Sequence, residues 1–432
     1  MFTMYRTFFP LVASSCLVTS GLCQDTPLAS RCSSLLSATD VACVNNYAAV
    51  LPLPFNRTIA TIDAQVPEDS FRLTSVPDPS FQLVKNATFI VFDEERGSQI
   101  LGPAPSYEFV FESRNDSIHE APVYVPGLRS IIYSLPHQGI YEQQLVNLST
   151  SIPTLRNYTT TPPVYAVNGG KLFNGSIYWA VEGGVPFPNP TNTSQTILQA
   201  PGIYKLNPNT SEVTTLVNNY FGTPLNSPND LFIDKDNGDI FFTDSWYGYA
   251  INVSANYPAL RPATYRFRPG TGHLSIVEDS IAQPNGIGFS PDGKTVYITD
   301  TGITDFSRAP SDGSLPKYGW NRLGGRTVYA FDLVDSPVGK YLVNRRPIYL
   351  AEEFAEDGFH VTMEGYLVGA AGNGVDILSQ YGELLVRITT TNISVNNIQF
   401  APNQDGRLSD LWIFGEGGIA RASLNITGMG DE

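Results

Sequence analysis

The sequence predicts an all-β chain folded as a six-bladed β-propeller behind an irregular N-terminal extension, and three observations lead there. Helical periodicity is scarce along the 432 residues, while short alternating strands separated by Gly or Asp turns recur throughout. One such unit is repeated. Pro228-Asn229-Asp230-Leu231-Phe232-Ile233, followed by Ile240-Phe241-Phe242-Thr243-Asp244, aligns with Pro284-Asn285-Gly286-Ile287-Gly288-Phe289, followed by Val296-Tyr297-Ile298-Thr299-Asp300, at an offset of 56 residues. Weaker copies open at Glu120, Val164, Asp357 and Asn397, which brings the units to six. Radial repetition of such sheets protects strand edges that would otherwise be left unpaired.

Taken in order, residues 1–23 read as a secretory signal peptide: Arg6 is followed by an apolar run from Phe8 to Val18 and by small residues before a cleavage point after Cys23. Pro10, Ser14 and Ser15 interrupt that run, and no later stretch is long enough to span a bilayer, so a secreted protein with no membrane anchor is expected. Removal of the leader leaves Cys32 and Cys43, which an oxidising compartment would pair. Sequons from Asn56 to Asn425 mark candidate glycosylated surface.

Residues 24–106 read as an irregular extension, because Pro52, Pro54, Pro67, Pro77 and Pro79 interrupt any regular element. Residues 107–432 form the propeller. Its ring needs a strand from one terminus to close the sheet of the other, and Tyr107–Phe111 beside Ile419–Leu424 fills that role. With 26 Lys+Arg against 41 Asp+Glu and a net charge of −15, nucleic acid is excluded as a partner. Hydrophobic residues at 42% exclude wholesale disorder. Nothing in the pattern fixes an oligomeric state.

Four units carry an oxygen-bearing side chain just before the innermost strand: Glu120, Asn229, Asn285 and Asp357. In a propeller these positions converge on one mouth of the central channel. Two carboxylates and two amides make a cage for one hard divalent cation, calcium first, with magnesium, manganese, zinc or iron(II) as alternatives. A single Asn-Asp or Asn-Gly pair is ordinarily just a turn; recurrence at the same place in several repeats is what argues for a site. His119 adjoins Glu120 and could orient a ligand. No HExxH spacing, G-x-S-x-G elbow or Ser-His-Asp pattern is present. Glu182 and Glu416 either line the channel or end exposed strands.

The strings His119-Glu120-Ala121-Pro122-Val123-Tyr124, Ser227-Pro228-Asn229-Asp230-Leu231, Gln283-Pro284-Asn285-Gly286-Ile287 and Asp357-Gly358-Phe359 resemble the motifs of the senescence-marker-protein/gluconolactonase family, in particular its secreted fungal lactonohydrolases. The resemblance runs from about Tyr107 to about Leu424. It implies a six-bladed propeller with one divalent metal that hydrolyses aldonolactones or related hydroxy-lactones. By the same resemblance Glu120, Asn285 and Asp357 match metal ligands, Asn229 matches a substrate- or metal-contacting residue, and Asp357 also matches a proton acceptor. Ser227 stands where some members carry an arginine, which leaves recognition of a polyol to other residues.

The expected chemistry is attack of water on a lactone carbonyl, with Asp357 taking the proton and Asp230 as reserve base, and with Asn229, Asp230 and His119 contacting substrate. The same scaffold also serves esterases and organophosphate hydrolases. A non-enzymatic propeller in which the metal only stabilises the ring is the reading from a different class.

Overall fold

The computed structural model describes residues 26–57, 70–113, 119–136, 143–189, 192–255 and 257–430. The signal segment and the sequon at Asn115 therefore lie outside the described residues. The fold is an all-β propeller. Five sheets have four strands each. Their first strands are Glu120–Val125, Val167–Phe173, Pro228–Ile233, Pro284–Phe289 and Ser394–Pro402. A sixth sheet has seven strands and begins at Glu356–Val361. The first strands pack against one another in chain order, and the last returns to the first, so a closed ring surrounds the axis.

Within each four-stranded sheet the strands run antiparallel and bury alternate faces against the sheets on either side. Phe242 and Ile298, on the second strands of the two strongest repeats, are fully buried, as is Trp179. Burial of a side chain of that size contributes about 1.5–3 kcal/mol. The ring closes as expected: Ser106–Glu112 pairs antiparallel with Gly418–Ser423, placing Tyr107 opposite Ala422 and Phe111 opposite Ile419.

The segment ahead of Ser106 is more ordered than its prolines suggest. Phe89–Val91 pairs with Leu384–Thr389, Val41–Val44 pairs with Phe89–Val91, and Ala29–Ser30 pairs with Val41–Val44, extending one sheet outwards. These runs of two to four residues are too short for a periodicity test, but the open edge of Leu384–Thr389 offers unpaired donors and acceptors that they satisfy. Cys32 and Cys43 form a disulfide within this segment, their Cα atoms 5.1 Å apart. No helix of the described residues is long and apolar enough to cross a membrane.

Neighbouring first strands approach so closely that side chains are excluded at the contact. A Cβ on Gly286 would lie 2.4 Å from the carbonyl oxygen of Asp357, and one on Gly169 would lie 2.4 Å from that of Asn229. Thr243 Oγ1 ties together the pair of first strands between these two contacts, accepting from Asp230 N at 3.1 Å and donating to the Asn285 carbonyl at 2.7 Å. Gly286→Ala should therefore cost about 1–3 kcal/mol through overpacking. Gly127→Ala, where a Cβ meets nothing within 4 Å, is the control. Urea denaturation of both variants checks this, and equal midpoints would refute the close-approach explanation.

Candidate functional site

In every first strand the register against the second strand slips near the strand's start, and Ser394–Pro402 slips again at its end. Pro228 pairs with Asp244 and Leu231 with Phe242, so Asn229 and Asp230 together face Thr243. Asn285 and Gly286 stand in the same position between the Pro284–Asp300 and Ile287–Ile298 pairs, as do Asp357 and Gly358 between Glu356–Ala371 and Phe359–Gly369. Asn168 and Asn396 are the extra residues of two further strands. A bulge twists the strand locally and redirects its side chains, which is why bulges gather beside functional sites.

This geometry corrects the supposed equivalence of the four ligands. Asn229, Asn285 and Asp357 are first bulge residues, inside their strands rather than ahead of them. Glu120 pairs with Ser134 and so corresponds to Pro228, Pro284 and Glu356, one residue before the bulge. Ala121 follows it with a left-handed φ of 52°. All four side chains nevertheless line one cavity of about 800 Å³.

Further oxygen-bearing residues share that lining, among them Asn168, Glu182, Asn396 and Glu416. Glu182 closes the second strand of its sheet, where a Gly-Gly pair made an exposed strand end equally plausible; it is fully buried. Asn168-Gly169 repeats the Asn285-Gly286 pair, a signal that could have placed it. Asn229 Nδ2 donates to Glu182 Oε1 at 3.4 Å, and Asn397 Nδ2 donates to Glu120 Oε2 at 2.8 Å.

Two predicted contacts do not reach the cavity. Asp230 turns sideways along the ring, its Oδ1 accepting from Leu231 N at 2.8 Å and its Oδ2 from Ile287 N at 3.1 Å. A carboxylate held by two backbone donors is a brace between sheets, so Asp230 is withdrawn as reserve base and as substrate contact. His119 is buried with its ring 5.6 Å from that of Tyr133 and is not among the lining residues. His360 lies 3.3 Å from Lys171 Nζ through Nε2, and burial pushes its pKa well down.

Acidic groups accumulate where the bulges meet. Burial pushes the Glu120 carboxyl well above its usual range and the Asp357 charge adds to that, while the Asn397 hydrogen bond works in the opposite direction. Burial likewise raises Glu182. Asp357 is pushed up to about 7 by burial, despite the amides of Asn285 and Asn396 beside it. Asn229 Oδ1, Glu182 Oε2 and Asn396 Oδ1 are buried with no hydrogen-bond partner among the described residues.

Unsatisfied buried oxygens beside crowded carboxylates are costly alone and well matched to a cation. Among the described residues no three His, Cys, Asp or Glu side chains form a metal-holding group. A cation here would rest on amide as well as carboxylate oxygens, a donor set that suits a hard ion.

The comparisons agree with this architecture. Residues 120–316 match a family model described as SMP-30/Gluconolactonase/LRE-like region. The chain is 40% identical over 405 residues to the lactonohydrolase oryL of Aspergillus oryzae, covering 93% of this chain and 89% of that protein. Among solved structures it resembles a gluconolactonase of Xanthomonas campestris, with a TM-score of 0.59 at 22% identity over 77% of this chain and 94% of that one. A calcium-binding protein, regucalcin, of Agrobacterium tumefaciens gives a TM-score of 0.52 at 14% identity over 76% and 96%. The two structural likenesses speak to the fold.

The bulges are themselves held from behind. Asp244 accepts from Ser227 N at 2.6 Å, from Asn226 N at 3.1 Å and from Asn226 Nδ2 at 3.0 Å, fixing the chain just ahead of Asn229. Burial outweighs these bonds and pushes its carboxyl up to about 7. A carboxyl whose folded pKa is raised keeps its proton more readily in the fold. Its stabilising contribution is complete below about pH 4 and is lost as pH rises through about 7. Asp244→Asn cannot ionise, so the fall in urea midpoint between pH 5 and pH 8 should be smaller in the variant than in the wild type. An equal fall would assign the pH dependence to other groups.

Proposed function

The chain belongs to the SMP-30/gluconolactonase/LRE-like family and is a lactone-hydrolysing enzyme, and we propose that it opens the lactone in this cavity with Asp357 as proton acceptor and with one divalent cation held by Glu120, Asn229, Asn285 and Asp357. The observation that carries the reading is the cluster of buried acids with orphaned oxygens beside them at the meeting of the bulges. A bound cation would supply Lewis acidity to the lactone carbonyl and charge stabilisation to its oxyanion. The oxygen-only donor set favours calcium, in keeping with the calcium-binding character of regucalcin, which shares the fold.

In this mechanism Asp357 removes a proton from water as the water oxygen bonds to the acyl carbon. The ring C–O bond then breaks, and Asp357 returns the proton to the departing alkoxide, leaving a hydroxy acid. A bound cation would favour the ionised form of Asp357, and a carboxylate that gave it one oxygen would keep the other free to take the water's proton and return it. Asn285 and Asn396, whose amides face Asp357, orient it. Glu182 completes the oxygen set through Asn229.

The seven-stranded sheet supplies the sixth blade in this reading: Glu356–Val361, Leu367–Ala371, Gly374–Leu378 and Leu384–Thr389 make the blade, and the strands before Ser106 are added to its outer edge. Residues 1–23 would direct secretion, 24–106 form the extension and 107–432 the catalytic ring. Exposed sequons such as Asn56, Asn174 and Asn392 are available for glycosylation.

Asp357→Asn keeps an oxygen ligand but loses basicity. It should bind calcium with nearly wild-type affinity in a calorimetric titration, and kcat at saturating calcium should fall about 10²- to 10⁴-fold. Near-normal turnover would exclude Asp357 as the base. Glu120→Gln removes charge without removing the base, so its loss of activity should be restored largely by added calcium. Chelation should abolish wild-type activity, and undiminished turnover in chelator would remove the metal from the mechanism.

A further inference from the structure

The cavity has two chemically distinct sides. One is the carboxylate and amide cluster. The other is an aromatic row that the catalytic reading does not use: Tyr247, Tyr318, Trp320 and Phe354 all line the cavity. Their rings are in sequence, with centroids 6.5 Å apart between Tyr247 and Tyr318, 5.2 Å between Tyr318 and Trp320, and 4.9 Å between Trp320 and Phe354. Leu315 and Pro316 extend the same apolar surface.

Three separate pieces of chain build this row. Tyr247 opens a short helix, Tyr247–Ala250, whose Gly248 N–H is held by Ser227 Oγ at 2.8 Å. Tyr318 and Trp320 belong to residues 301–326, a connection between the second and third strands of one sheet, where the corresponding connection in the next sheet runs only from Ala371 to Gly374. Phe354 precedes Glu356–Val361. Two polar groups of this side are held by neighbours. Tyr247 Oη lies 2.7 Å from Thr301 Oγ1 and 2.8 Å from Thr304 Oγ1, and Arg308 Nε lies 3.3 Å from Asp305. The wall is therefore dominated by ring faces and aliphatic carbons, whereas a polyhydroxylated substrate would need donors and acceptors along its length.

We propose that the substrate is a lactone carrying a flat or bulky apolar substituent, seated against Tyr318 and Trp320 while its carbonyl meets the acid and amide cluster. This rests on the lactonase reading for the reacting end of the molecule and goes beyond it for the other end. Trp320 and Tyr318 are then specificity-determining residues rather than parts of the chemical machinery.

The test compares δ-phenyl-δ-valerolactone with D-glucono-δ-lactone, two six-membered lactones of opposite polarity. The wild-type enzyme should favour the phenyl lactone in kcat/KM by about tenfold or more, and Trp320→Ala should lower that value about 10- to 100-fold. The effect on the glucono-lactone should be much smaller. Trp320→Phe, which keeps a ring, should recover most of the loss, and Leu323→Ala, on an exposed side chain of the same connection, should change neither substrate. A preference for the glucono-lactone, or equal losses for both substrates in Trp320→Ala, overturns the assignment while leaving lactone hydrolysis intact. Calorimetry with the lactam counterpart of the phenyl lactone, which is not turned over, reads the wall alone. Tight binding of the lactam that Trp320→Ala weakens, with no turnover of either lactone, would sustain the apolar assignment and sink the hydrolytic one. Lactam binding indifferent to Trp320→Ala would sink the apolar assignment.

Discussion

Steric contact between adjacent first strands, where the bulge of one leaves no room for a Cβ on the next, sets the rest of the structure. Gly169 meets the Asn229–Asp230 backbone, Gly286 meets Asp357, and Gly358 meets Asn397. Once backbones are that close, side chains at the bulges have few directions left. Asp230 turns along the ring and ties its sheet to Ile287, while Asn229, Asn285 and Asp357 line the cavity. Site and scaffold are thus one arrangement, because the residues that close the ring are the immediate neighbours of those that line the cavity.

The same packing produces the electrostatics. Glu120, Glu182, Asp230 and Asp357 are buried near one another, and each is raised above its usual pKa by lost hydration. Such a cluster opposes folding unless protons or a cation neutralise it. Any ligand that binds only the native state adds stability by mass action, so a resident cation would offset the cost of assembling the acids. Strain of this kind at a site is the usual counterpart of function. The Asp244 brace behind Asn226 and Ser227, together with Thr243 across the Asp230–Asn285 contact, supplies compensating rigidity.

How much was legible in the chain follows from these particulars. The Asn229 and Asn285 units announced themselves because both strands of each carry the same apolar pattern and the second strand of each ends in Thr-Asp, and the closing strand Tyr107–Phe111 could be found from the need to pair Ile419–Leu424. Glu120 was assigned to the right cavity from the wrong register, since alignment on oxygen-bearing residues hides a one-residue offset that only strand pairing reveals. Asn168 and Asn396 escaped because no proline precedes them and Asn168-Gly169-Gly170 resembles a turn. Its glycines serve close approach instead, to Asn229 and Asp230 and to Val123 and Trp179. Asp230 and His119 each adjoin a residue that lines the cavity, but adjacency in sequence says nothing about which way a side chain faces. The aromatic wall was invisible, because its residues come from three connections far apart in the chain.

Anomalous diffraction from crystals of the enzyme loaded with calcium, or with manganese as a stronger scatterer, addresses the central claim most directly. The predicted result is a single strong peak in the cavity, coordinated through oxygen by Glu120, Asn229, Asn285 and Asp357. A cavity without a peak at saturating metal, or a cation held mainly by His119 or His360, would contradict it.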